Sequence, residues 1–114
     1  MPRESTIVAA ITRMAESHGW YVIKIHGGPY QLAGIPDLLC LQRGQAVWLE
    51  VKQPGKKPTP LQQRRMAELE ACGRTPCHVV TSKEEASACL RTHASSLGWP
   101  VDDPAVDRRR RRPV

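Results

Sequence analysis

Residues 34–57, GIPDLLCLQRGQAVWLEVKQPGKK, decide how this 114-residue chain folds. Two largely apolar runs, 36–42 and 45–52, are separated only by Arg43-Gly44. That pattern reads as two strands joined by a tight turn. Three charged residues, Asp37, Glu50 and Lys52, stand inside these runs. Charge enters a sheet interior only at a cost, unless it is paired or ligating something.

The turn sets the register. Counting outward from Arg43-Gly44, Gln42 faces Gln45 and Asp37 faces Glu50. Directly opposed side chains have Cβ atoms roughly 4.5–5.5 Å apart. Two carboxylates at that range raise each other's pKa unless a cation intervenes. Side chains two apart on a strand share a face, so Lys52 joins Glu50 beside Asp37. Opposed carboxylates at a strand end make an oxygen site suited to a hard divalent cation such as Mg²⁺. Such an ion lowers the pKa of bound water and neutralises phosphate charge. An adjacent lysine positions the attacking water or stabilises developing negative charge. The backbone carbonyl of Val51 lies close by.

A plainer reading is a surface hairpin in which Lys52 merely offsets two acids. Both faces of the strands are apolar, however. Leu39, Leu41 and Trp48 share the acid side, and Leu38, Cys40, Val47, Leu49 and Val51 occupy the other. A sheet covered on both sides is therefore expected, and an ion pair at such a covered rim is less favourable than leucine. That favours a functional group of charges.

The flanking sequence supplies the rest of a small domain. Residues 4–18 place Ile7, Ile11, Met14 and Ala15 on one helical face, and Gly19 closes the helix. Residues 20–26 alternate as a strand, and GGPYQLAGI is a loop. After a Lys/Pro/Gly-rich loop, Thr59-Pro60-Leu61-Gln62 has the form of a capping box opening a helix to about Cys72. Residues 76–82 form a fourth strand, and Ser82-Lys83-Glu84-Glu85 opens a last helix to about His93. The order α-β-β-β-α-β-α predicts an α/β fold with a mixed four-stranded sheet flanked by helices. Residues 1–98 form one domain. Residues 99–114, rich in Pro, Asp and Arg, are expected to be a disordered tail.

The net charge of +6 divides between body and tail. Arg108 to Arg112 stand against three aspartates in the tail, which leaves the body mildly basic. That suits nucleic acid without requiring it. No apolar run is long enough to cross a bilayer, and no signal-peptide pattern opens the chain. Cys40, Cys72, Cys77 and Cys89 lack metal-site spacing, and zinc on Cys72, Cys77 and His78 is poorly spaced. Buried free thiols in a reducing cytoplasm are expected.

Gly34-Ile35-Pro36-Asp37 followed by Glu50-Val51-Lys52 resembles the PD-(D/E)xK nuclease signature, and more narrowly its VRR-NUC (virus-type replication-repair nuclease) branch. The likeness includes a first-helix Glu and a Thr-x-x-Gln helix start, and covers roughly residues 4–90. It implies the αβββαβ restriction-endonuclease-like core and Mg²⁺- or Mn²⁺-dependent cleavage of DNA. Asp37 and Glu50 would be metal ligands together with the Val51 carbonyl, and Lys52 the catalytic lysine. Glu4 would be a further metal-site acid, although a helix-start acid is also favoured by the macrodipole. Gln62 would support the catalytic group, although the capping box already accounts for it. Stand-alone relatives are phage-type, act on branched or flapped DNA, and often pair as homodimers; a bacterial host's cytoplasm would be the setting. Leu32, Ile35 and Trp99 are candidate dimer contacts.

Lys56, Lys57, Arg64 and Arg65 flank the proposed metal site and are candidates to hold DNA phosphates. A solvated loop and helix face would also account for them. His26 and Tyr30, in the loop before Asp37, are further candidates for substrate contact, and the Arg108–Arg112 run for salt-sensitive affinity. The alternative to cleavage is a DNA-binding module on the same fold.

Overall fold

The computed structural model describes residues 2–29 and 31–94. Tyr30, Trp99 and the Arg108–Arg112 run lie outside the described residues. The elements follow in the expected order: α1 (Glu4–Ser17), β1 (Tyr21–Lys24), β2 (Leu38–Gln42), β3 (Gln45–Val51), α2 (Pro60–Cys72), β4 (Cys77–Val80) and α3 (Lys83–Ala94). The four strands form one sheet in the order β1-β2-β3-β4. The first two pairings are antiparallel and β3–β4 is parallel.

The β2–β3 register is the one set by the turn, with Gln42 opposite Gln45 and Leu38 opposite Leu49. Arg43 and Gly44 both have positive φ, 46° and 84°. Those are the signs of a type I′ turn, whose twist matches that of the flanking strands. A two-residue loop of this kind leaves no freedom for slippage.

One face of the sheet is fully packed. Leu38, Cys40, Val47, Leu49, Val51 and Val80 are buried there against Ile7, Ile11 and Ala15 of α1 and Ala86, Leu90 and Ala94 of α3. Helix α3 begins at the Ser82 cap expected of it. Ser82 Oγ accepts from the Glu85 N–H at 3.1 Å, while the Glu85 carboxylate reaches past Ser82 to the N–H and hydroxyl of Thr81.

The opposite face departs from expectation. Leu39, Leu41 and Trp48 are only half-buried, and Tyr21, Ile23 and Val79 are exposed. The reason lies in α2, the element available to cover that face. It buries only Met66 fully and rests near β4, where the Cys77 Sγ lies 3.7 Å from the Met66 carbonyl. One polar helix cannot cover four strands. Among the described residues, no helix is long and apolar enough to cross a membrane.

Candidate active site

The site begins where the β2–β3 ladder ends. Continuing the register past Leu38–Leu49 sets Asp37 against Glu50 and Pro36 against Val51. Proline has no N–H, so it offers the Val51 carbonyl no ladder partner. The Val51 N–H finds another acceptor, donating to Asp37 Oδ2 at 2.8 Å. On the far side of Asp37, its main-chain carbonyl accepts from the Ile25 N–H at 2.8 Å. Asp37 is thus tied to β3 by its side chain and to the end of β1 by its backbone.

Glu50 and Lys52 sit at the C-terminal end of β3, which β4 holds in place through the Lys52 N–H to Val80 carbonyl bond of 3.0 Å. Lys52 Nζ lies 3.4 Å from Glu50 Oε2, with the side chains 13% and 2% exposed. The other oxygen, Glu50 Oε1, is buried and has no hydrogen-bond partner. Burial pushes the Glu50 carboxyl up to about 7, the Asp37 charge adds to this, and Lys52 acts in the opposite direction. Desolvation therefore outweighs the opposed acid, which the register alone had suggested as the cause. Glu4, exposed at the start of α1, adds a smaller upward push, so it faces the same region.

Among the described residues, no three His, Cys, Asp or Glu side chains converge closely enough to cage a metal by themselves. The group is instead two carboxylates, with the Val51 N–H held on one of them and Lys52 on the other. Carboxylate oxygens are donors that suit a hard divalent cation rather than a softer ion, and a small hard cation keeps several waters and takes only one or two carboxylates. The orphaned Glu50 Oε1 is the direct sign of fit, since a buried carboxylate oxygen without a donor is otherwise an uncompensated cost. Zinc on Cys72, Cys77 and His78 is ruled out. Cys72 is exposed, and the neighbouring Cys77 and His78 point to opposite sheet faces.

The remaining predicted residues divide. Lys56, Lys57 and His26 are exposed. Arg64 is exposed at 72% and pairs with Glu68 at 3.5 Å. Arg65 is 18% exposed and turned inward, with its Nε–H donating to the Ala33 carbonyl at 3.0 Å and Nη1 to Glu68 at 3.1 Å. Gln62 completes the capping box, its Oε1 accepting from the Thr59 N–H at 2.9 Å. No hydrogen bond among the described residues joins it to the carboxylates. Beside Asp37 lies a cleft of about 260 Å³, walled by Ile25 and by residues 27–28 and 31–35. The sequence reading missed this cleft; its signal was the small residues Gly27, Gly28, Ala33 and Gly34, which line it.

No family model matches the chain. A protein of Acyrthosiphon pisum secondary endosymbiont phage 1, named "Putative nuclease p44", is 37% identical over 75 residues, spanning 60% of this chain and 78% of that protein. A solved structure described as a VRR_NUC domain superposes with a TM-score of 0.65 at 28% identity, covering 77% of this chain and 94% of the other. A second, described as a VRR_NUC domain protein, shares the fold with a TM-score of 0.67 at 18% identity, over 83% and 90%. The chain belongs to the phage-type VRR-NUC family of nucleases, enzymes that act on nucleic acid.

Proposed function

We propose that the chain is a Mg²⁺- or Mn²⁺-dependent DNA endonuclease that hydrolyses phosphodiester bonds in branched, flapped or junction DNA during phage or bacterial replication, repair or recombination. The observation that carries this is the convergence of Asp37, Glu50 and Lys52, with one Glu50 oxygen buried and unpartnered. Asp37, Glu50 and the Val51 carbonyl would hold the ion, with Glu4 as a more distant acid. Bound there, it supplies a water of lowered pKa and neutralises charge on the phosphate.

The chain's own residues supply position and charge. The Val51 N–H orients the Asp37 carboxylate by holding Oδ2, and the Asp37 charge is felt at Glu50. Lys52 pairs with Glu50 in the free protein, and its ammonium would hold the attacking water or a phosphate oxygen. Gln62 supports the helix start beside this group. Lys56, Lys57 and Arg64 grip phosphates outside it, with His26 and Tyr30 as further candidates for substrate contact. The preference for branched DNA and a homodimeric state in the host cytoplasm follow from the family resemblance. The exposed Leu32 is a contact candidate, next to the half-buried Ile35.

Purified protein with Mg²⁺ or Mn²⁺ should nick flaps, forks or four-way junctions, and Lys52→Ala and Asp37→Asn should each abolish the cut. Cleavage that survives both substitutions ends the proposal. Binding without cleavage under either metal would support the non-cleaving module instead.

A further inference from the structure

The segment that carries Asp37 links β1 to β2, and its described residues, 25–29 and 31–37, form no helix or strand, yet it must hold one carboxylate in place. Its two ends are closed by the Ile25–Asp37 backbone bond. Its middle is held from α2. Arg65 Nε–H donates to the Ala33 carbonyl at 3.0 Å, and one residue later Gly34 lies flat against the same helix. A Cβ at Gly34 would stand 2.9 Å from Leu61 Cγ, 3.1 Å from Arg65 Cγ and 3.2 Å from the Leu61 carbonyl. Gly34 also has φ +85°, so both its backbone and its neighbours demand glycine. Leu61 and Arg65 are one turn apart on one helix face. From that face to Asp37 there are only Ile35 and Pro36, and proline transmits position because its φ is locked.

The charge of Arg65 is already spoken for. Glu68 lies 3.1 Å from Nη1 and also faces Arg64. A half-neutralised, inward-turned guanidinium is a poor phosphate contact.

We propose that Arg65 is a positioning residue: its bond to the Ala33 carbonyl, made possible by Gly34, fixes the loop that presents Asp37 to the metal site. Arg65 is not a DNA contact. This rests on reading Asp37 as a metal ligand.

The test compares Arg65→Ala, Arg65→Lys and Asp37→Asn in the full chain. One readout is Mn²⁺ binding without DNA, followed by the electron paramagnetic resonance of free Mn²⁺. The other is the affinity for a fluorescent DNA junction in EDTA, without any divalent ion, measured across a salt series. A lysine keeps the charge but loses the fork that serves Ala33 and Glu68 together. Both Arg65 variants should therefore weaken Mn²⁺ binding, by roughly tenfold for the loss of one carbonyl-anchoring bond to a charged group. DNA affinity and its salt slope should stay at wild-type values. Wild-type Mn²⁺ binding in both variants, or a DNA affinity lost in Arg65→Ala and restored in Arg65→Lys, would overturn the assignment. If Asp37→Asn binds Mn²⁺ like wild type, the metal-ligand reading itself fails. If Asp37→Asn loses Mn²⁺ while the Arg65 variants keep it, only the positioning role fails.

Discussion

Replacing Glu50 by glutamine should make the protein more stable and inactive at once. The Glu50 carboxyl is 2% exposed, and burial together with Asp37 pushes it up to about 7 from an ordinary 4.5. A carboxyl whose folded pKa lies above its unfolded value binds its proton more tightly in the native state. It therefore favours folding at low pH and loses that contribution as pH rises from 4.5 to about 7. Each pH unit of that interval is worth about 1.4 kcal/mol, so full ionisation costs about 3 kcal/mol. Glutamine keeps the shape of the side chain and carries no charge. The stability advantage of Glu50→Gln over wild type should then grow by about 2 kcal/mol between roughly pH 5.5 and pH 8. Urea denaturation of both chains at each pH measures it, and the difference cancels every other titrating group. Mg²⁺ or Mn²⁺ at the higher pH should narrow the gap by stabilising wild type. A gap that does not change with pH, or a Glu50→Gln chain less stable than wild type at pH 8, would refute the idea that an ionised, desolvated Glu50 is held there against stability.

Other perturbations probe the surrounding scaffold. Gly34→Ala should lose about 1–2 kcal/mol from the left-handed backbone alone, with cleavage falling alongside, as read by thermal melting and a nicking assay. Thr59→Ala removes the side chain that accepts the Gln62 N–H at 3.1 Å. It should cost about 1 kcal/mol in urea denaturation while leaving Mn²⁺ binding unchanged. His78 and His93 meet through Nε2 atoms 2.7 Å apart, and burial, then His78, holds the His93 pKa below its usual 6.5. A histidine kept neutral in the fold contributes stability that is lost as pH falls through its ordinary range. Because Glu50 acts with the opposite sign, that loss is best measured in the Glu50→Gln chain. There, His93→Asn should flatten the decline below about pH 6.5.

The parts legible in the sequence are those governed by near neighbours along the chain. The Arg43-Gly44 turn set the β2–β3 register because a two-residue hairpin permits only one pairing. Asp37, Glu50 and Lys52 followed from that register by the two-residue period of a strand. The helix starts at Thr59 and Ser82 were readable because capping is a contact between residues three apart.

What the tertiary structure decided depends on groups brought together from distant positions. That Glu50 Oε1 is buried without a donor, and that burial more than Asp37 raises its pKa, are results of packing. So is the half-open acid face of the sheet, because nothing in the α2 sequence says how much of four strands it will cover. Arg65 makes the point most directly. Beside Arg64 in the sequence it is another basic residue flanking the proposed metal site. Only the fold, by laying Ala33 and Gly34 against the same turn of α2, gives it a carbonyl to hold. Local pattern sets which atoms an element presents, and long-range packing sets what those atoms meet.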